Sequence, residues 1–202
     1  MKKRLILATV AVGALLASGA APAMAHDRHV DKEPYVKNTI VDVALAASGG
    51  GTPDDNPRDY DILVQALVAT GLAATLDDDQ ALFTVFAPDD RAFLRLVEDV
   101  TGTAPASEAE ALATITTAFT GEQITNVLLY HVILNDDLSS HEVMYSGKLE
   151  MANGGIVKPR SDRLKDENDA FRDPRLVHGA LDIQTSNGII HTINRVLLPA
   201  VI

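Results

Sequence analysis

The chain has 202 residues, with 17 Lys+Arg against 28 Asp+Glu, a formal net charge of −11, and neither cysteine nor tryptophan. The absence of cysteine excludes a disulfide scaffold, zinc–thiolate and iron–sulfur sites, and a thiol nucleophile. The acidic balance argues against a nucleic-acid binder, which needs clustered Lys and Arg to neutralise phosphates, and the length suits one globular domain.

Residues 1–25 read as a secretory signal. Lys2, Lys3 and Arg4 precede an uncharged apolar run, Leu5–Leu16, and Ala23-Met24-Ala25 supplies the small-x-small pattern that signal peptidase cleaves after. The run is shorter than the about 20 apolar residues that a membrane span takes. Cleavage there removes three basic residues, leaving a mature net charge of −14 and no membrane anchor. Residues 26–36 are expected to be a flexible polar segment, and residues 37–202 the folded domain.

The Gly/Pro/Asp stretch Ser48–Pro57 breaks up the front of that domain as a loop. From Tyr60 the pattern turns helical, with Ile62, Leu63, Ala66, Leu67 and Thr70 at three–four spacing and Gly71 as a stop. Ala81–Pro88 reads as a buried strand, in which Phe83 and Val85 face one side and Thr84 and Phe86 the other. Asp89 is placed to cap a following helix with the stripe Phe93, Leu96, Val97 and Val100. Ser107-Glu108-Ala109-Glu110 is a capping box opening a helix through Phe119, and a third helix is expected over Glu122–Ile133. From Leu138 the chain turns to short β-like runs that end in Val196–Pro199. Within them Asn187-Gly188 signals a two-residue hairpin turn with positive φ at both residues. Helices followed by strands predict an α+β domain.

Three segments together resemble the fasciclin-like domain family. Phe83-Thr84-Val85-Phe86-Ala87-Pro88-Asp89-Asp90-Arg91-Ala92-Phe93 is similar to that family's first box, and Leu128-Leu129-Tyr130-His131-Val132-Ile133 to its central Tyr-His motif. The run from Thr185 to Pro199, Thr-Ser-Asn-Gly-Ile-Ile-His-Thr-Ile-Asn-Arg-Val-Leu-Leu-Pro, resembles the closing box. The sequence departs from the pattern at Asp89, where the family has Thr or Ser, and at Leu134–Asp137, where Pro-Gly is common. The resemblance implies a single α+β domain, with helices of the N-terminal half packed on a β-sheet wedge formed largely by the C-terminal half. It also implies a secreted, non-enzymatic adhesion module with a cell-surface or matrix protein or glycan as partner.

Candidate site residues are few. On a helical wheel His131 falls within the apolar stripe and reads as a buried, hydrogen-bonded histidine, with Tyr130 on its flank. This neighbourhood is associated with integrin binding in some animal members of the family, so Tyr130 and His131 are candidate contacts. His191, set among isoleucines, reads as structural. Residues 158–175 hold six basic residues (Lys158, Arg160, Arg163, Lys165, Arg172 and Arg175) against five acidic ones. Arg160, Arg163, Lys165, Arg172 and Arg175 are candidate contacts to an anionic partner such as a cell-wall polymer, on a protruding loop. A solvated hairpin of mixed charge is the other reading.

No catalytic residue, cofactor site or metal site is expected. Ser140-His141-Glu142 reads as a loop, because adjacent residues seldom face one another as a triad must. Asp54-Asp55 and Asp77-Asp78-Asp79 match no calcium-loop spacing and read as solvated, and His26 and His29 as a polar tail rather than a copper site. Two further functions are open: a carrier of a small apolar ligand, which needs an apolar groove, and an extracellular hydrolase.

Overall fold

A computed structural model describes residues 38–54 and 56–201, so the expected signal segment and residues 26–36 lie outside the described residues. The chain is α+β and is organised about one strand, β1 (Phe83–Pro88), whose six residues are all buried. Strand β7 (Gly188–Ile193) runs parallel to β1, with Val85 opposite Ile190. Strand β2 (Val132–Leu134) pairs antiparallel on the other side, and β6 (Ile183–Thr185) forms a hairpin with β7, giving the order β2-β1-β7-β6.

The two faces of this sheet bury different cores, as the alternation of β1 requires. Phe83, Val85 and Ile190 face a helical layer containing Ile62, Leu67, Phe93 and Leu128. Phe86 and Ile193 face a second core with Tyr130, Val143, Val157, Leu164 and Leu197. The helical layer comprises α1 (Ile40–Ala47), α2 (Asp61–Thr70), α3 (Ala73–Leu76), α4 (Asp90–Thr101), α5 (Glu108–Ala118) and α6 (Gly121–Leu129). The second layer holds α7 (Ser140–Tyr145) and a small sheet of β3 (Leu149–Glu150), β4 (Ile156–Arg160) and β5 (Arg163–Lys165).

Local sequence explains most helix boundaries. Thr39 and Asp42 form a reciprocal capping box for α1, and the Asp89 carboxylate takes the Ala92 amide to start α4. Helix α2 has no capping side chain of its own. Asp90, distant in sequence, accepts the amides of Asp61 at 3.0 Å and Ile62 at 2.9 Å instead. Ser107 caps α5 one way only, because Glu110 turns to the Ala106 amide rather than completing a box.

Further expectations are corrected. Helix α6 stops at Leu129 and the chain re-emerges as β2, so the helix does not run on to Ile133. Val132 and Ile133 belong to the sheet, where Val132 pairs with Val85 and Ile133 with Thr84. Val100 is 43 % exposed, outside the buried stripe of α4. Ser140-His141-Glu142 opens α7, capped by Ser139 and Glu142 in a reciprocal box. Val196–Pro199 is buried but forms no strand; the Leu197 amide goes to the His131 ring and the Leu198 amide to Asp166. In the β6–β7 hairpin, Thr185 pairs with Gly188, so the turn residues are Ser186 and Asn187, and neither has positive φ.

Both box residues at that turn have other tasks. The fully buried Asn187 accepts the Ile40 amide and donates to the carbonyls of Leu76 and Asp78. Gly188 has φ +149, and a Cβ there would overlap the Phe83 carbonyl on β1.

Candidate functional site

The Tyr-His pair sits at the α6–β2 junction, inside the protein. Tyr130 is 0 % and His131 2 % exposed. The Tyr130 hydroxyl donates to the Ile156 carbonyl at 2.9 Å and accepts the Glu167 amide at 3.1 Å, joining α6 to the second layer. Its ring passes so close to Gly155 that a Cβ there would meet Cε2 at 2.6 Å. His131 Nε2 accepts the Leu197 amide at 2.9 Å, which fixes the tautomer, so Nδ1 donates to the Val127 carbonyl at 2.7 Å. Burial pushes the ring pKa down to about 4, with the Val127 bond opposing, so it is neutral. Neither residue presents a surface to a partner.

His191 is likewise buried. Its Nε2 lies 2.8 Å from the Leu138 carbonyl and its Nδ1 accepts the Asp182 amide, and burial lowers its pKa. The Ser140 hydroxyl is bonded to Asp182 at 2.6 Å, and His141 stacks against Tyr145 with ring centroids 4.5 Å apart. Ser140, His141 and Glu142 therefore form no relay.

Residues 158–175 form the β4–β5 hairpin and an ordered return segment rather than a loose protrusion. Leu164 is buried in the second core, and Asp166, whose pKa burial pushes up to about 6, holds the Leu198 amide. Much of the segment's positive charge meets its own acids. Arg175 pairs with Asp162 at 2.9 Å, Lys165 with Asp169 at 2.7 Å and Asp173 at 3.4 Å, and Arg163 with Asp173 at 3.8 Å. Arg160 and Arg172 are exposed, with no ion pair among the described residues.

Beside this segment lies a groove of about 790 Å³. Arg163, Lys165, Arg172 and Arg175 line it, together with Arg95 from α4 and Arg195 from the segment after β7. Asp169 and Asp173 are its only acidic lining residues, so the lining carries a formal charge of +4 on a chain of −11. Arg160, at the hairpin turn, is outside it. Arg95 donates to the Asn194 carbonyl at 2.9 Å, while Arg195 pairs with Asp99. Burial and the nearby Arg91 and Arg195 cations lower the Arg95 pKa, as expected where like charges converge. The two added arginines lie far from residues 158–175 in sequence, and no local charge window joins them.

An apolar cavity of about 60 Å³ lies among Ile62, Phe93, Ile115, Ile124 and Leu198. Small-molecule pockets hold about 300–1,000 Å³, so it is too small for the carrier function. Asp54, Asp59, Asp61, Asp90 and Glu108 converge near the N-termini of α2, α4 and α5 and, among the described residues, are those grouped closely enough to hold a metal ion.

The fold and these motifs coincide with known proteins. Residues 58–199 match the family model described as the Fasciclin domain. The chain is 30 % identical over 145 residues to the pig (Sus scrofa) transforming growth factor-beta-induced protein ig-h3, covering 69 % of this chain and 18 % of that protein. It is also similar to a solved FAS1 domain pair from the insect cell adhesion molecule Fasciclin I. That match has a TM-score of 0.55 at 14 % identity and covers 80 % of this chain and 51 % of the other, a likeness of fold. The chain thus spans under a fifth of the curated relative and about half of the solved pair. With the parallel β1–β7 pair, the buried Tyr-His junction and the closing hairpin all inside the matched residues, the chain belongs to the fasciclin domain family.

Proposed function

We propose that the chain is a secreted, non-enzymatic adhesion module that binds an anionic cell-surface or matrix partner, protein or glycan, through its basic groove. Fasciclin domains serve generally in cell adhesion and interaction, and among the described residues no helix is long and apolar enough to cross a membrane. Removal of residues 1–25 by signal peptidase, a flexible 26–36 segment and a domain over 37–202 complete this reading. The observation that carries it is the groove itself. Six cations from three parts of the chain converge where the rest of the surface is acidic, which attracts a polyanion locally and repels it elsewhere. The same overall acidity opposes binding of a long nucleic acid.

The test is fluorescence anisotropy with labelled heparin oligosaccharide and labelled polygalacturonate as sulfated and carboxylated probes. Saturable binding that weakens with salt is expected. Arg172→Ala is expected to weaken it about two- to fivefold, the range for one exposed charge, while Arg160→Ala leaves it unchanged. Absence of binding by the folded protein, or equal loss in both variants, overturns the reading.

A further inference from the structure

Five acidic side chains from separate parts of the chain meet where three helices begin. Asp54 and Asp59 come from the loop before α2, and Asp61, Asp90 and Glu108 are the first residues of α2, α4 and α5. One carboxylate oxygen from each of Asp54, Asp59 and Asp61 lies within 4.8 Å of the other two, and the same holds for Asp59, Asp90 and Glu108. Asp54 is exposed, whereas the other four are at most 5 % exposed.

Structure alone accounts for two of them. Asp90 binds the first two amides of α2, and Glu108 accepts the Asp54 amide at 3.0 Å, so both fasten the loop and helix in place. Asp59 and Asp61 differ. Neither oxygen of Asp61, nor Oδ1 of Asp59, meets a donor of normal geometry, although all three are sealed from solvent. Asp59 Oδ2 takes the Asn56 side-chain amide at 2.9 Å. Asp59 also faces Asp90, whose carboxyl pKa is pushed up to about 8 by burial and by a side-chain hydrogen bond to Asp59. Asp61 is the carboxylate left without a well-aligned donor on either oxygen. A buried carboxylate without partners is strongly unfavourable, and the α2 dipole favours Asp61 without filling its lone pairs.

We propose that Asp54, Asp59 and Asp61 bind a calcium ion, with Asp90 and Glu108 positioning the loop and helix that present them. The group consists solely of hard oxygen donors, without the nitrogen or sulfur that zinc favours. Their oxygens lie close enough to one another to share a single cation, and calcium accepts such carboxylate oxygens in flexible geometry. Magnesium demands a tighter octahedron and retains its waters. The ion supplies the partner that both Asp61 oxygens lack, enters from the side of exposed Asp54, and pins the loop to α2. This site is independent of the basic groove and of the adhesion reading.

The test uses the full chain, stripped of metal by chelation, titrated with calcium chloride in a calorimeter and with Tb³⁺ by luminescence. The chain has no tryptophan, so excitation reaches Tb³⁺ through tyrosine, and Tyr60 lies between two proposed ligands. One calcium per chain is expected, with Kd no weaker than about 10⁻³ M, the bound for extracellular calcium modules. The melting temperature rises with calcium concentration. Asp61→Asn and Asp54→Asn each weaken binding by at least about tenfold. Asp61→Asn also raises the melting temperature without calcium, because it removes a buried, unpartnered charge. Asp54→Asn alters an exposed residue and keeps the test decisive if the buried variant fails to fold. Tyr60→Phe keeps calcium binding and loses most Tb³⁺ emission. A folded wild-type protein showing neither heat nor a melting shift up to about 10⁻² M calcium overturns the proposal, as does magnesium binding of equal strength.

Discussion

Protonating His131 is expected to destabilise the fold by an amount the structure sets. The ring is buried, accepts the Leu197 amide at Nε2, and has its pKa pushed down to about 4 from an ordinary value near 6.5. A histidine whose folded pKa is depressed binds its proton first in the unfolded chain. Its contribution to stability is therefore intact above about pH 6.5 and lost as pH falls toward 4. At about 1.4 kcal/mol per unit, the loss between about pH 7 and pH 4 is about 3 kcal/mol. Other groups also titrate in this range, Asp166 with its raised pKa and His191 with its lowered one among them, so the measurement is a difference. Urea unfolding of the wild type and of His131→Gln, which hydrogen-bonds but does not titrate, is compared across the range. The wild-type advantage is expected to shrink by about 3 kcal/mol on acidification. A difference that stays constant with pH refutes the assignment of a neutral, amide-accepting ring.

Three further perturbations test the packing account. Gly188→Ala places a methyl against the Phe83 carbonyl in the β1–β7 pair and is expected to cost more than about 3 kcal/mol, read from the denaturant midpoint. Tyr130→Phe removes the hydroxyl that serves the Ile156 carbonyl and the Glu167 amide; about 1–3 kcal/mol is expected, with hydrogen exchange of the Glu167 amide accelerated. Phe86→Ala empties a fully buried position in the second core, for an expected loss of about 3–5 kcal/mol by calorimetry.

How much of this was legible in the sequence varied with how local the signal was. Asp89 and Ser107 cap the helices they were expected to cap, because capping is decided within four residues. Gly71 ends α2 in the left-handed conformation for the same reason. The end of α6 was not legible. Leu128, Val132 and Ile133 satisfy a helical stripe as well as a strand, and a short apolar run does not distinguish the two periods; pairing with β1 decides the outcome. The hairpin register shifted by one residue because Asn187 is recruited into long-range bonds to Ile40, Leu76 and Asp78.

The same division holds for the sites. Four of the five basic candidates in residues 158–175 line the groove, but Arg95 and Arg195 join it only through folding. Asp54 and Asp55 match no calcium-loop spacing along the chain, and on local sequence alone they read as solvated. In the structure the neighbours of Asp54 are Asp59, Asp61 and Glu108, and the last comes from the start of another helix. The helix α2 start shows the same effect, with Asp90 supplying a cap that no residue near Tyr60 provides.

Adhesion through the groove is tested most directly by saturable binding of the purified chain to envelopes of its source cell. A parallel sample combines Arg163→Ala, Lys165→Ala, Arg172→Ala and Arg175→Ala. The account predicts saturable binding by the wild type and a loss of at least about tenfold in the folded variant, the product of four weak charge contributions. Envelope binding that survives the four substitutions undiminished, or a folded wild type that does not bind, contradicts it.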